Sequence, residues 1–473
     1  MRDETETPAS IIYELPYSAD DVLRALLNLS ARRRVSILDS CGTRGQSARF
    51  LIASFDPRET IEARGEEIRL TQADQNVSQV IRGDALRLLD ERLAAQLQQR
   101  IAQPAGRICV ATFSYELAHR LEPLRLKPLR RASGEPDMTL AFYDALVVHD
   151  YQEASTKIFC AGGERRLKET LAALKESLDS AEDDWAASPV SPPTIESNLT
   201  RNEYVAAVLR IKEHIAAGDI YQANLTQQLT CRLAPDTRPE AVFRRLRRDH
   251  PASFAAFIRR RDDVVISASP ERFLRVTPSG GRARTIEAWP IKGTRPRGRT
   301  AREDARLRAE LLESEKDRAE NVMIVDLMRN DLGRVCRYGS VEVAELCALE
   351  EHPTLFHLVS RVRGTLRDDV TAGALLRAAF PCGSITGAPK IRAMEIIDEA
   401  ETAPRGLSMG AIGYFSSDGS LDLNVAIRTM TLRDSIARFN VGGGVVADSH
   451  PALEYDESLL KARALVRALG GEL

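Results

Sequence analysis

Near the carboxyl end of the chain, three β-type stretches follow one another with only short turns between them. Residues 409–416, 421–432 and 437–447 are rich in apolar and β-branched side chains. Asp418-Gly419, between the first two stretches, is a strong hairpin signal. Strands joined by such short connections pair antiparallel, because parallel pairing requires a long crossover. The sequence therefore predicts a fold built on antiparallel sheets.

Elsewhere, further strands alternate with helices. We predict strands over 264–269, 284–291, 341–349 and 357–366, and helices over 165–178, 301–330, 371–380, 389–400 and 452–469. Thr200 and Glu203 form a capping-box pattern that predicts the start of another helix, and Gly218 ends it. Polar and apolar residues then alternate from Tyr221 to Leu233, which is typical of a half-buried strand whose polar face meets solvent or a pocket.

The chain has the length for two or three domains. Short β-rich stretches separated by polar segments predict one α+β domain over residues 10–180. Residues 181–198, with acidic residues, Ser and Pro, predict a linker. Residues 199–473 form the second predicted domain, and the predicted fold class is α+β.

The composition narrows the choice of partners and of compartment. The 66 basic and 68 acidic residues nearly cancel, so no global field favours a nucleic acid or a membrane surface. No stretch approaches the roughly 18 apolar residues of a membrane span. The seven cysteines include no CxxC pair, which suits a reducing compartment rather than disulfides or structural zinc. We expect a cytoplasmic protein without nucleic-acid or membrane partners.

Two pairs of carboxylates share the spacing i, i+3 on predicted helices: Asp317 with Glu320, and Glu454 with Glu457. Oxygen donors from two helices suit Mg²⁺, which binds one or two carboxylates and keeps sites for water and an anionic substrate. Glu310 and Glu313 repeat the spacing, so a solvated charged helix face is the alternative interpretation.

Lys292 and Glu271 are candidates for covalent and acid–base chemistry. Lys292 ends a predicted strand just before a glycine, and burial can lower the pKa of such an amine so that it acts as a nucleophile. The alternative is a surface lysine. Glu271 follows the strand 264–269, where a carboxyl can face a cavity; the alternative is an exposed glutamate held by Arg272.

Two glycine-bearing loops do not fit a nucleotide site. Residues 383–390 lack the GK[ST] ending of a phosphate loop, and no helix directly follows the glycines of 441–449. The first loop runs into a helix near Pro389, so its amides can hold a carboxylate or hydroxyl. Arg428 can supply a fork to a second carboxylate. Arg-rich stretches elsewhere lack stacking aromatics, and we interpret them as solvated faces.

Eight segments between about residues 199 and 470 resemble, in this order, the chorismate-utilising enzyme family: SPERF, PIKGT, KDRAENVMIVDLMRNDLGRV, FHLVSRV, GSITGAPKIRAMEIIDE, GAIGYF, AIRT and GGGVVADS. The resemblance implies a two-domain α/β sandwich of antiparallel sheets flanked by helices. It also implies a Mg²⁺ cofactor, held by Glu320 and Glu457 with Asp317 and Glu454 nearby, that binds the ring carboxylate of chorismate.

The resemblance further implies which residues surround the substrate. The catalytic residues would be Lys292, Glu271 and His357. The residues contacting or lining the chorismate site would be Gly293, Thr294, Thr386, Tyr414, Arg428, Gly442, Gly443, Gly444 and Lys461. The N-terminal half resembles the family's regulatory half, with departures in ILDS (37–40) and HPASF (250–254). The residues of a possible tryptophan pocket there are Ser40, Pro251, Ala252 and Ser253.

Lys292 distinguishes two branches of the family. Anthranilate synthases resemble this stretch but read PIAGT, whereas aminodeoxychorismate synthases read PIKGT, which points to amination at C4. Gln222 stands where isochorismate and salicylate synthases carry a lysine that activates water, so it argues against water as nucleophile. The sequence has no convincing glutaminase pattern, and we expect ammonia from a separate glutamine amidotransferase subunit. Anthranilate synthesis, or non-catalytic binding of anions or nucleic acid by the Arg-rich helices, are the alternatives.

Overall fold

The computed structural model describes residues 10–43, 49–73, 77–98, 107–121, 134–180, 192–279, 283–352 and 355–473. The strands are β1 (Ile11–Leu15), β2 (Val35–Asp39), β3 (Phe50–Phe55), β4 (Glu59–Arg64), β5 (Glu67–Gln72), β6 (Val77–Arg82), β7 (Ile108–Phe113), β8 (Met138–Tyr143), β9 (Ala145–Asp150), β10 (Ser155–Cys160), β11 (Thr194–Ser197), β12 (Gln222–Arg232), β13 (Phe254–Arg259), β14 (Val264–Ser269), β15 (Arg272–Pro278), β16 (Arg284–Trp289), β17 (Ile291–Pro296), β18 (Glu342–Glu351), β19 (Leu355–Thr365), β20 (Gly387–Ala388), β21 (Ala411–Ser416), β22 (Leu421–Val425), β23 (Thr429–Arg433) and β24 (Ile436–Val445).

The helices flank these strands. They are α1 (Ala19–Ser30), α2 (Ala85–Gln98), α3 (Gly163–Asp179), α4 (Arg201–Ala216), α5 (Pro239–Asp249), α6 (Ala301–Glu313), α7 (Glu315–Gly333), α8 (Ala372–Ala379), α9 (Lys390–Ala400) and α10 (Pro451–Ala468). Short 3-10 turns cover Tyr115–Arg120 and Gly383–Ile385. None of the described helices has both the length and the apolarity needed to cross a lipid bilayer.

Within the described ranges the strands form two sheets of twelve, which confirms the predicted antiparallel architecture. The first sheet has the order β1-β10-β9-β3-β2-β13-β14-β23-β24-β12-β11, with β20 beside β12. The second has the order β17-β19-β16-β15-β22-β21-β7-β8-β4-β5-β6, with β18 beside β19. Side chains from both sheets, such as Ile258 and Val265 of the first and Val110 and Ile412 of the second, share one apolar cluster. The sheets therefore pack face to face as a sandwich.

The two halves of the sequence contribute to both sheets. In the first sheet β2 pairs with β13, and in the second β7 pairs with β21. The predicted boundary after residue 180 is thus not a boundary between sheets. Residues 181–191 of the predicted linker lie outside the described part of the chain. The division into two domains stays a prediction.

The predicted helix over 301–330 is two helices, and the break determines where the acidic pairs lie. Ser314 adopts an extended backbone conformation, and its hydroxyl accepts from the Asp317 amide at 3.3 Å. Serine prefers such an N-cap to a helix interior, since its side chain competes for backbone hydrogen bonds. Glu310 and Glu313 therefore belong to α6, whereas Asp317 and Glu320 occupy the first turns of α7.

The helix start at Thr200 is confirmed, and the strand that follows is more deeply buried than predicted. The Thr200 hydroxyl accepts from the Glu203 amide, and the Glu203 carboxylate accepts from the Thr200 amide at 2.7 Å. β12 lies between β24 on one side and β20 and β11 on the other. Residues 222–227 are buried throughout. The apolar side chains on one face of the strand pack in a cluster covered by helices, and the polar side chains on the other face point into the sandwich.

A buried ion pair joins β12 to three other segments. Arg405, 3% exposed, donates to Glu401 at 2.7 Å, to the Ile385 carbonyl at 2.7 Å and to the Asn224 carbonyl at 2.6 Å. Glu401 in turn accepts from the Thr226 amide at 2.7 Å. The Arg405 guanidinium also lies over the Tyr115 ring. We call this group the Arg405 clamp.

We expect Glu401→Ala to lower the free energy of unfolding by about 3–5 kcal/mol, because Arg405 would remain buried without its anion. Urea denaturation of the variant and the native chain measures the difference. Glu91→Ala is the control, since Glu91 is exposed on α2 and pairs with the exposed Arg87 at 3.0 Å, and it should leave stability nearly unchanged. Equal, small effects of both substitutions would contradict the importance of the clamp.

Candidate active site

Lys292 is the second residue of β17 rather than the end of a strand, and Glu271 follows β14 by two residues; both side chains reach Ser384. The Lys292 ammonium donates to the Ser384 carbonyl at 3.4 Å, and its charge acts on Glu271. Glu271 is 4% exposed, and its Oε1 has no hydrogen-bond partner among the described residues. Burial raises the pKa of Glu271 to about 7, against the opposing effects of Lys292 and of hydrogen bonds from Ser384 and Ile291. A carboxyl of this kind is half protonated near neutral pH.

The alternative interpretation of Glu271 is wrong. Arg272 pairs instead with Asp422, with its Nε 2.9 Å from Oδ1, and lies against the Trp289 ring. Glu271 is therefore not an exposed turn residue held by its neighbour. Lys292 is half-buried rather than on the open surface.

A β-bulge at Gly293 brings β17 close to α7. The pairing with β19 shifts between Lys292 and Thr294, and Gly293 has φ +75°. A Cβ at Gly293 would lie 3.0 Å from the Asp317 Cβ and 2.9 Å from a Leu311 methyl group. Glycine therefore permits both the left-handed backbone and the close approach of the acidic helix.

The four predicted metal ligands are not equivalent. Glu457 on α10 lies close enough to Glu320 on α7 to influence the ionisation of Glu320. Burial raises the pKa of Glu320, and Asp317 and Glu457 add to this effect while two lysines oppose it. Asp317 is already paired with Arg295 at 3.2 Å, and Glu454 accepts from the Ser449 hydroxyl at 2.7 Å.

Lysines balance the charge of these glutamates. Burial disfavours the charged form of Glu457, but Lys461 at 2.7 Å outweighs burial and lowers its pKa. The Lys461 ammonium also donates to the Gly442 carbonyl at 3.0 Å. Lys316, a residue that sequence reasoning did not single out, acts on both Glu320 and Glu457. Its position four residues before Glu320 was the available signal.

The donor set fits a magnesium ion that is completed by water and substrate. Among the described residues, no three His, Cys, Asp or Glu side chains converge into a self-sufficient metal group. Mg²⁺ does not require one, since it commonly uses one or two carboxylates and fills its other positions with water and substrate oxygens. Glu320 and Glu457 repel each other as anions, and Glu320 resists ionisation, so a cation would relieve both.

Arg428 and His357 lie near each other and offer different chemistry. Arg428 is half-buried, and in the described part of the chain its guanidinium has no carboxylate or hydrogen-bond partner; partial burial lowers its pKa. Its backbone is left-handed, with φ +48°. The ring of His357 bonds the Thr294 hydroxyl at 2.9 Å. Burial, with His352 and Arg428 adding to it, lowers the pKa of His357 to about 4, so this ring is neutral at pH 7.

The glycines of β24 lie against polar side chains. A Cβ at Gly443 would stand 3.3 Å from Glu454 Oε2 and 3.4 Å from Lys461 Nζ. A Cβ at Gly444 would stand 2.7 Å from Gln222 Nε2. Thr386 is buried, and its hydroxyl donates to the Cys382 carbonyl at 3.1 Å within its own turn.

Tyr414 is not brought together with the other predicted residues. It lies on β21, and the charged groups that act on its hydroxyl are Asp422, Arg275, Arg272 and Asp418 rather than Lys292 or the metal-ligand candidates. Conversely, the sequence did not predict the Ser384 carbonyl as the hydrogen-bond acceptor of Lys292. A backbone acceptor leaves no trace in residue type, so no sequence signal could have identified it.

The two segments predicted to form a tryptophan pocket lie next to each other. β2 pairs with β13, and Ser253 Oγ lies 3.3 Å from Thr43 Oγ1. The Ser40 hydroxyl is buried without a partner among the described residues. Neighbouring Asp39 already binds Arg247 at 2.6 Å. A carboxylate that could attract an amino group is thus neutralised by the chain itself, and tryptophan binding stays a prediction.

Comparison with known proteins identifies the family of this chain and several relatives. Residues 37–467 match the family of chorismate binding enzymes. Aminodeoxychorismate synthase component 1 of Klebsiella aerogenes is 37% identical over 469 residues, covering 98% of this chain and 99% of that protein. Aminodeoxychorismate synthase of Streptomyces griseus is 43% identical over 345 residues, covering 71% of this chain but only 47% of that protein.

The fold has a solved counterpart. The crystal structure of anthranilate synthase component I from Streptococcus pneumoniae TIGR4 superimposes with a TM-score of 0.76 and 29% identity, covering 90% of this chain and 93% of that one. The family match and the Klebsiella relative each extend over most of the sequence. This chain therefore belongs to the chorismate-binding enzyme family.

Proposed function

We propose that this chain is the component of an aminodeoxychorismate synthase that converts chorismate and ammonia to 4-amino-4-deoxychorismate and water, a step toward 4-aminobenzoate and folate. The observation that carries the proposal is that the Lys292 amine and the buried Glu271 carboxyl, whose pKa is about 7, both contact Ser384. A nucleophile beside a protonatable carboxyl suits displacement of a hydroxyl group. Relatives named for this activity match the chain from end to end.

The proposed reaction has two balanced displacements. Lys292 first loses its ammonium proton to solvent. Its neutral amine then bonds to C2 of the ring, the two ring double bonds shift, and the C4 hydroxyl leaves as water with the proton of Glu271. Ammonia then bonds to C4, the double bonds shift back, and the Lys292 amine leaves C2. The proton lost by the incoming ammonia restores Glu271. This chain thus supplies the transient nucleophile and the acid, and nothing is oxidised or reduced.

A cationic side chain and a metal ion bound by two carboxylates would hold the dianionic substrate. Arg428, half-buried and without a counter-ion in the described chain, would pair with one carboxylate. Glu320 and Glu457 would hold a Mg²⁺ ion that, when bound, neutralises the other carboxylate. Each close pair of anions would otherwise repel by about 4 kcal/mol at an effective dielectric near 20. Neutral His357 and Thr294 would line the site without adding charge.

The ammonia would come from a glutamine amidotransferase partner. The word component in the name of the Klebsiella relative supports a second subunit. The S. pneumoniae structure favours anthranilate synthesis as the second candidate, because it shares the fold over nearly the whole chain. A nucleic-acid function has little support, since arginines of the Arg-rich stretches pair with carboxylates, as Arg297 does with Asp304 at 2.6 Å.

Mass analysis of the product separates the two candidates. With chorismate, Mg²⁺ and ammonium, the native chain should form aminodeoxychorismate, and Lys292→Ala should lose this activity by orders of magnitude because the nucleophile is gone. Lys175→Ala, an exposed lysine on α3, is the matched control and should behave as the native chain. Anthranilate as the product of both the native chain and Lys292→Ala would exclude C4 amination.

The pH dependence of kcat/KM tests the acid. Glu271 must be protonated to act, so the rate should fall as the pH rises through about 7. Glu271→Gln should reduce kcat by about 10²–10⁴-fold and remove this limb of the profile. Glu116 is half-buried, also with a pKa raised to about 8, but it accepts a hydrogen bond from the backbone amide of Arg405. Glu116→Gln should retain the fall in rate as the pH rises through about 7. If that fall disappears in Glu116→Gln and not in Glu271→Gln, Glu116 is the titrating acid and the proposed role of Glu271 is wrong.

Calorimetric titration with Mg²⁺ tests the two glutamates without relying on turnover. Glu320→Gln and Glu457→Gln should each weaken Mg²⁺ binding by more than about tenfold, since each removes a charge worth several kcal/mol at close range. Glu313→Gln, exposed on α6, is the control and should bind as the native chain does. Undiminished binding by both active-site variants would place the ion elsewhere.

A further inference from the structure

Asn224, in the interior of the sandwich, has a side chain with unused hydrogen-bonding capacity. It is 6% exposed, and its Nδ2 has no partner among the described residues. Its backbone, in contrast, is fully bonded: the amide donates to the Thr386 carbonyl at 2.7 Å, and the carbonyl accepts from Arg405 at 2.6 Å. The residue is therefore held firmly in place while its amide donor remains unpaired.

The polar side chains on the same face of β12 as Asn224 differ in whether they have hydrogen-bond partners. Thr226, two residues on, is satisfied by Glu401 at 2.9 Å and by Asn440 at 3.1 Å. Gln222, two residues before, is 0% exposed, and neither of its amide atoms has a partner in the described structure. Asn224 lies directly across from Gly444, the glycine against which the Gln222 amide packs. The unsatisfied part of the strand is the part beside the candidate active site.

Leaving a buried amide unpaired is costly, at about 1–3 kcal/mol per group. Natural interiors contain few such groups, and each calls for an explanation such as a function or a bound molecule. Two consecutive inward positions carry them here, and both lie next to the β24 glycines and the Thr386 turn. A ligand that brings its own polar atoms would complete this surface.

We propose that Asn224 is a further substrate-binding residue, whose side-chain NH₂ donates a hydrogen bond to an oxygen of the bound hydroxylated cyclohexadiene diacid. The inference rests on the proposed function for the identity of that substrate. The unpaired atom is a donor, so it requires an acceptor such as a carboxylate, ether or hydroxyl oxygen. Ammonia is a poor match, because its lone pair must stay free for attack. The Arg405 clamp and the Thr386 carbonyl fix the backbone from which Asn224 reaches.

The test uses Asn224→Leu and Asn224→Asp in the full chain. Leucine removes a donor that makes no bond in the free protein, so Tm should stay equal or rise, while kcat/KM for chorismate should fall by about 10–100-fold. Aspartate keeps the shape but replaces the donor with an anion, and it should weaken chorismate binding at least as much. Binding is measured by calorimetry with chorismate and Mg²⁺ in the absence of ammonium, so that turnover is not needed.

Asn28→Leu is the matched control. Asn28 is a buried asparagine on α1 that donates to the Ser177 carbonyl at 3.4 Å, in a region apart from the candidate active site. This substitution should lower Tm and leave kcat/KM unchanged. The proposal fails if Asn224→Leu lowers Tm as Asn28→Leu does while chorismate affinity stays within about twofold. A native chain that binds chorismate but forms another product would refute the amination and still allow the affinity comparison to decide the role of Asn224.

Discussion

The buried Arg405 clamp is the interaction on which the candidate active site depends. One guanidinium holds the Ile385 carbonyl, the Asn224 carbonyl and the Glu401 carboxylate, and thereby ties a turn, a central strand and the end of α9 together. An apolar replacement could fill the volume, and buried ion pairs often contribute little net stability. An apolar side chain could not, however, hold the Ile385 and Asn224 carbonyl groups in fixed orientations. The clamp is best understood as setting the register between β12 and the 383–386 turn, which presents Ser384 to Lys292.

The charges of the site follow a consistent scheme. Lys292 acts on Glu271, Lys316 on Glu320 and Lys461 on Glu457, so each of these carboxylates has a nearby ammonium. Arg428 differs from these paired groups. Partial burial disfavours its positive charge, and no anion in the described chain offsets this effect. A protein interior tolerates such a cation when a ligand supplies the counter-charge. The arrangement thus selects for an anionic substrate before any contact with the ring is considered.

Local patterns in the sequence predicted what local physics controls. The capping box at Thr200 and the turn at Asp418-Gly419 depend on neighbours within four residues, and both are confirmed. The helix over 301–330 was wrong in one place, since the preference of Ser314 for a cap outweighed the continuous pattern around it. The site depends on contacts distant in sequence. Family resemblance selected Glu320 and Glu457 for a shared ion, whereas the bulge at Gly293 could not be read from periodicity.

The inward-facing polar residues of β12 serve two purposes: some stabilise the fold, and others are available to bind a ligand. The inward polar residues of β12 look alike in the sequence. Thr226 bonds to Glu401 of the Arg405 clamp, whereas the Gln222 amide atoms and Asn224 Nδ2 have no partner in the described part of the chain. The first use adds to the stability of the fold, and the second subtracts from it. A strand anchored at one end by a satisfied network can carry unsatisfied donors at the other without slipping in register. The proposed binding surface therefore depends on the clamp for its position and on the substrate for its missing hydrogen bonds.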